Sequence, residues 1–546
     1  MVVAKVRIAV EDPLVAARYG FRPEVWTTGE EPFLLDGPIA ARVAVIDRDP
    51  SSGQVSEGVP WLPAKGAFAA PEELFAPEAM SVSVFGIVLE TLAMFEREDV
   101  LGHKIRWAFD SPQLLVVPRA GTWANAFYDR YSRGLQFFSF QDGAGRTVHT
   151  ALSRDIVAHE TGHAILDGLA PALYDALSPE SLGLHEAVGD LTAIVMALES
   201  RAIREWLVTY HAGRLDGDTP VSQLATEFGW AEQLNRPLRN ANNSLRMDQV
   251  GQEPHRLCEV LTGAVWSAMV QLHAAALKEA HESSAGSNEA PLGRALWISA
   301  RRIGRILFRA LDYLPPAEAA FADYARALLR SDGVAYPDDE TGYRDTLQRQ
   351  FLERGIVAEA GELRREPPKS SVRVDLDDVL ESDWVAYAFA ERERELLGIP
   401  AGVPFRLFPR RDVKRRYYLG GDRHEVRREL VFQVTWEESE PNAGIPTLPA
   451  LRAVFRGTTL VLAGEPDSRG EHAVLSCLAS DRAERHARAR NDLARQLVED
   501  DRLGIADYWP AQSLRPLAPA VYGRVTHDTL RLRGTARLLH LAGAAL

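Results

Sequence analysis

The stretch Ser153–Ala170, SRDIVAHETGHAILDGLA, decides how the rest of the chain is read. Ser153 stands where an N-cap belongs, and Asp155 falls in the first turn, where a carboxylate suits the positive end of a helix dipole. A helix is therefore expected from Ser153 through Leu169. On it His159 and His163 are four residues apart, so they stand one above the other on one face. Two imidazoles so placed fill two corners of a tetrahedron around one Zn2+. Glu160, the next residue along, reaches a water at such an ion without being a ligand itself, which is the HExxH arrangement. Three fixed letters in five also arise by chance, and a solvated helix face carrying two histidines reads the same way.

A second stretch separates the two readings. LGLHEAVGDLTAIVMAL, residues 182–198, places Glu186 and Asp190 four apart at the start of an otherwise apolar helix, expected over His185 to about Leu207. A catalytic zinc site needs a third protein ligand and an open position for water, and Glu186 supplies the ligand. A ligating histidine also needs its other ring N–H held, typically by a carboxylate, and Asp190 can do that for His159 or His163. The bland alternative is two acids decorating a helix N-terminus.

Composition narrows the class. The chain has 546 residues, 46% of them apolar and 25% charged, as in a soluble globular protein of two to four domains. A formal charge of -14 argues against a general nucleic-acid binder. Two cysteines far apart, Cys258 and Cys477, indicate neither a disulfide framework nor a thiolate metal site. The opening MVVAKVRIAVEDPL is broken by Glu11, Asp12 and Pro13 and does not read as a signal peptide. No apolar run is read as approaching the roughly 18 residues of a membrane span. The cytoplasm is the expected compartment, although a non-classical export route leaves no trace in sequence.

Changes of pattern divide the chain. Residues 1–78 read as a β-rich extension, 79–183 as a mixed β/α lobe carrying the HExxH helix, and 184–357 as a helical lobe carrying Glu186. Residues 358–371 read as a linker. Residues 372–546 mix strands such as LVFQVTW with helices such as AERHARARNDLARQLVEDD, a further α+β domain of unassigned role. Within it, Phe405–Arg428 carries Arg406, Arg410, Arg411, Lys414, Arg415, Arg416, Arg423, Arg427 and Arg428. Such a run is usually a solvated face; the alternative is a dock for an acidic partner or a phosphate backbone.

Over about residues 80–357 the sequence resembles the thermolysin-like gluzincin metallopeptidases. DIVAHETGHAILDG is similar to that family's zinc helix, and EAVGD to its third-ligand helix, with Asp190 bracing a histidine. Asn125 and Ala126, in Ala124-Asn125-Ala126-Phe127-Tyr128, resemble the edge strand that pairs with an extended substrate. Arg239 resembles the arginine that holds a substrate carbonyl, and His255 the histidine that stabilises the oxyanion, with Asp248 or Glu253 as its carboxylate partner. Tyr174 resembles the oxyanion tyrosine. Ile156 and Leu238 would line an apolar pocket on the leaving-group side, favouring cleavage before a hydrophobic residue.

The resemblance implies an α+β fold, a two-lobed zincin plus the C-terminal domain. It implies one catalytic Zn2+ held by His159, His163 and Glu186, with Glu160 as general base and a peptide or protein as substrate. Asp155 matches one calcium ligand of the family, but the other acids of that double site are not found, so calcium is not expected. No nucleic acid or membrane partner is expected, and the oligomeric state is left open. Two other readings stand beside an endopeptidase. An aminopeptidase of the same zinc class would need an acidic anchor for the substrate amine, and no Gly-x-Met-Glu-Asn strand is found. A zinc-stabilised scaffold would use its C-terminal domain to bind a partner.

Overall fold

Apolar and β-branched runs in the first 140 residues fold as two four-stranded sheets. The computed structural model describes residues 1–283, 290–364, 367–419, 423–481, 483–506 and 519–534, and it is an α+β protein. The first sheet runs Glu24–Thr27, Lys5–Ile8, Ala67–Phe68, Trp61–Leu62. The second runs Val43–Val45, Leu114–Val117, Gly134–Phe137, Ala126–Asp129. Its first three strands are parallel, and Ala126–Asp129 pairs antiparallel at the edge. The helix Pro77–Phe95 packs close to the first sheet: a methyl on Gly86 would meet Ile8 Cγ2 at 2.5 Å. Val6, Ile8 and the buried face of that helix share one core with the helices that follow.

The expected helix at Ser153 runs Arg154–Leu169, with Ser153 as its N-cap residue. The expected helix from His185 to Leu207 is two helices. Pro179–Glu199 starts earlier, because Ser178 caps it and Pro179 suits the first turn. Arg201–His211 starts afresh at Ser200, whose hydroxyl accepts the Ile203 N–H. Pro254–Ser283, Ala290–Arg309, Phe321–Ala335 and Tyr343–Glu353 complete the helical part.

The reading that no run approaches a membrane span is corrected. Pro77–Phe95, Pro179–Glu199 and Pro254–Lys278 are long and apolar enough by length and composition. They are apolar on nearly every face because protein surrounds them, Pro179–Glu199 being buried along its whole tested length.

Beyond residue 371 the chain builds a nine-stranded sheet around a long hairpin, His424–Pro441 with Leu451–Pro466. Side chains alternate between its faces. Leu430, Phe432, Val434 and Trp436 pack with Val379, Ala386 and Phe389 in a second core, while Val431 and Val461 join the main one. The inner face is tied to the helical part by buried charges. Arg415 bonds Asp312 and, at 2.7 Å, Glu429, which also meets Arg309 and the Tyr417 hydroxyl.

Candidate metal centre

Two helices carry the centre, and two glycines bring them together. A methyl on Gly162 would lie 2.8 Å from Thr192 Oγ1, and one on Gly189 would lie 2.6 Å from the His159 ring. The His159 and His163 rings stand 4.7 Å apart, nearly perpendicular, and both face the neighbouring helix.

There they meet Glu186. His159 Nε2 is 3.5 Å from Glu186 Oε2, and His163 Nε2 is 3.4 Å from Glu186 Oε1. These separations exceed the usual 2.7–3.2 Å of an N–H···O hydrogen bond. They suit three donors around one ion, since ligand atoms about 2.0–2.2 Å from a tetrahedral Zn2+ lie about 3.3–3.5 Å from one another. Glu186 Oε1 is buried and accepts no hydrogen bond. The donor atoms of His159, Glu160 and His163 also lie within 4.8 Å of one another. Two imidazoles and a carboxylate therefore fit a divalent metal ion, and zinc is a natural match for that donor set.

The surroundings hold these groups in place. His159 Nδ1 is 3.1 Å from Asp190 Oδ1, which fixes the ring and turns Nε2 toward Glu186. Glu160 Oε2 accepts the backbone N–H of Tyr128 at 2.8 Å, tying the carboxylate to the edge strand. Without an ion in place, burial, opposed by His159 and aided by Glu186, pushes the Glu160 carboxyl up to about 8, and a divalent cation beside it would favour the ionised form. Burial also opposes ionisation of Glu186, but His255, His159, His163 and Arg239 together hold it well below the usual carboxylate range.

A cleft of about 250 Å3 opens over these groups. Asn125, Ala126, Ile156, Leu238, Arg239 and His255 all line it, so the structure brings these sequence candidates together. Ala126 begins the edge strand beside it. His255 Nε2 is 3.5 Å from Glu186 Oε2, and its Nδ1 is 2.7 Å from Glu253 Oε1; Asp248 instead faces Arg246 at 3.3 Å. Arg239 reaches back to the centre, 2.7 Å from Glu186 and 3.2 Å from Asp190.

Tyr174 is placed elsewhere. It ends a short helix, Pro171–Tyr174, and its ring is buried among Tyr128, His185 and the guanidinium of Arg130, outside the lining of the cleft. Asp155 lines the cleft but is not part of the His159–Glu160–His163 group; its carboxylate accepts the N–H groups of Ile156 and Ala225. Sequence reasoning missed the Tyr128 N–H, although its strand was marked, and missed Trp123, Phe228 and Leu234 in the apolar wall. Every lining residue falls between positions 123 and 259.

No family model and no curated protein matches the chain. Among solved structures, the precursor of protealysin, a metalloproteinase from Serratia proteamaculans, aligns at 13% identity with a TM-score of 0.33, over 60% of this chain and 90% of that one. A likeness at that level carries no weight for fold or activity, which rest on the residues above.

Proposed function

We propose that the chain is a zinc metallopeptidase with a thermolysin-like, two-lobed catalytic body, and that it acts as an endopeptidase. The convergence of His159, His163 and Glu186, with Asp190 behind His159, is the observation that carries this reading. These three residues would hold the ion. When bound, zinc would polarise the scissile carbonyl and lower the pKa of a water towards neutrality.

The chain's own residues do the rest. Glu160, oriented through Oε2 by the Tyr128 N–H, takes the proton of the attacking water and passes it to the leaving amine. His255, held through Nδ1 by Glu253, points Nε2 into the site as a donor to the oxyanion. The backbone at Asn125 and Ala126 sits at an open sheet edge, where an extended peptide adds as one more strand. Ile156, Leu238 and Phe228 offer an apolar wall that selects a hydrophobic residue on the leaving-group side.

The test is Glu160→Gln. The variant should keep its metal by elemental analysis and lose on the order of 100-fold or more in cleavage of an N-terminally blocked peptide. Full activity in that variant sinks the assignment. Cleavage of free but not blocked peptides makes the protein an aminopeptidase instead.

A further inference from the structure

A second cavity, of about 1230 Å3, lies at the other end of the His159 helix. Gly168 and Leu169 line it; Leu169 is ten residues on from His159, or about 15 Å along a helix axis. It shares no lining residue with the metal cleft. Much of its wall is the start of the basic run, from Phe405 to Asp412.

Its charge is unbalanced. Seven lining residues are Arg or Lys and three are Asp or Glu; Lys104, Arg130 and Arg410 also meet Glu96, Asp167 and Asp383 behind the wall, so its excess positive charge sits on Arg106, Arg406 and Arg411. The three acids already have arginine partners: Asp175 with Arg130 at 2.8 Å, Asp412 with Arg428 at 2.7 Å, and Glu437 with Arg531 at 3.0 Å. Arg106 and Arg406 are exposed and have no ion pair among the described residues. Arg411 is deeper, its side chain 14% exposed, and its one carboxylate, Asp312 at 3.1 Å, is shared with Arg415 and His103. Arg411 Nε makes no hydrogen bond, Nη2 has only the ion pair with Asp312, and Oε1 of Gln433, a buried side chain in the same wall, accepts none. The neighbouring guanidinium groups add to the effect of burial at two side chains. Burial with Arg411 and Arg415 pushes His103 down to about 3, and burial with Arg106 pushes Arg411 down to about 10.

We propose that this cavity binds a soluble polyanion, a small molecule carrying two or more phosphate or carboxylate groups. Guanidinium forks match both groups and are spread along the wall, so one small anion would satisfy only part of it. The volume exceeds the roughly 300–1,000 Å3 of an ordinary small-molecule site. A net acidic protein repels a polymeric polyanion at long range, while a small one can enter a local positive cavity.

The test is calorimetric titration of the whole protein at low salt with inorganic tripolyphosphate, ATP and citrate. Metal content is measured before and after, because each probe chelates metals. Arg106 and Arg406 are exposed and outside the metal cleft, so the double variant Arg106→Ala/Arg406→Ala keeps the fold and any peptidase activity. The expected result is a saturable one-to-one isotherm with at least one probe, about tenfold or more weaker in the double variant and weakened in the parent by added salt. Binding of tripolyphosphate and ATP but not citrate marks phosphate as the ligand group; citrate alone marks carboxylate. Flat titrations with all three probes, a double variant that binds like the parent, or salt-independent binding each overturn the proposal.

Discussion

At the scale of single residues, Asp190 matters through the orientation it imposes. By holding His159 Nδ1 at 3.1 Å it fixes which nitrogen faces Glu186. Asp190→Ala should therefore weaken metal affinity by roughly 10–100-fold without removing a ligand. Competition against a chelator reads this directly, and unchanged affinity would leave Asp190 a packing residue. Glu186 and Asp190 were legible in the sequence because a four-residue spacing on a helix is already geometry. Glu253 and Asp248 were not separable in the same way. The choice depends on how the chain enters the helix Pro254–Ser283, where Glu253 also accepts the N–H groups of His255 and Arg256. Tyr174 failed for a related reason: the segment between the two site helices folds as its own short turn, and no periodicity records where that turn points its ring.

At the scale of elements, the centre depends on how closely two helices approach. Gly189→Ala places a methyl against the His159 ring, where only 2.6 Å is available. The ring or the helix must move. The expected outcome is a protein with native circular dichroism and a much reduced metal content, whereas normal loading would show that the contact yields. The N-terminal strand region makes another element-level contact. Glu11 and Asp12 are buried beside Asp155 of the site helix and Glu227. Burial and the Asp155 carboxylate raise both groups, Asp12 to about 8. An acid raised in the folded state ionises first in the unfolded chain, so its contribution to stability is full below about pH 4 and declines up to about pH 8. Glu11→Gln removes part of that slope. The variant should match the parent near pH 4.5 and be more stable at pH 8, on the order of 1 kcal/mol or more. Identical melting curves for the two proteins at pH 8 would count against the buried pair.

At the scale of the molecule, the C-terminal sheet is bound to the helical part by charge as well as by apolar surface. The basic run reads from sequence as a solvated face, yet Arg411 and Arg415 alternate with outward Asp412 and Lys414 and point inward beside Val413 and Tyr417. Periodicity marks that face correctly. It does not reveal that Asp312, a hundred residues upstream, waits there with a compensating carboxylate. The helices and the long hairpin follow from local pattern, but contacts between distant charges do not.

Arg239 has a consequence for the life of the protein as a whole. It lies 2.7 Å from Glu186 and 3.2 Å from Asp190, so the two buried acids of the centre have a cationic partner that belongs to the chain itself. Stripping the ion with EDTA then leaves the two acids sharing one cation rather than none, which lessens the cost that losing an ionic partner usually carries. The stripped protein should melt within a few degrees of the loaded one and regain cleavage when zinc is returned. Unfolding on chelation would mean that the ion, and not Arg239, keeps the helices together. Under the proposed function, a centre built this way is governed by supply: the fold persists without the ion, and activity follows wherever zinc is available.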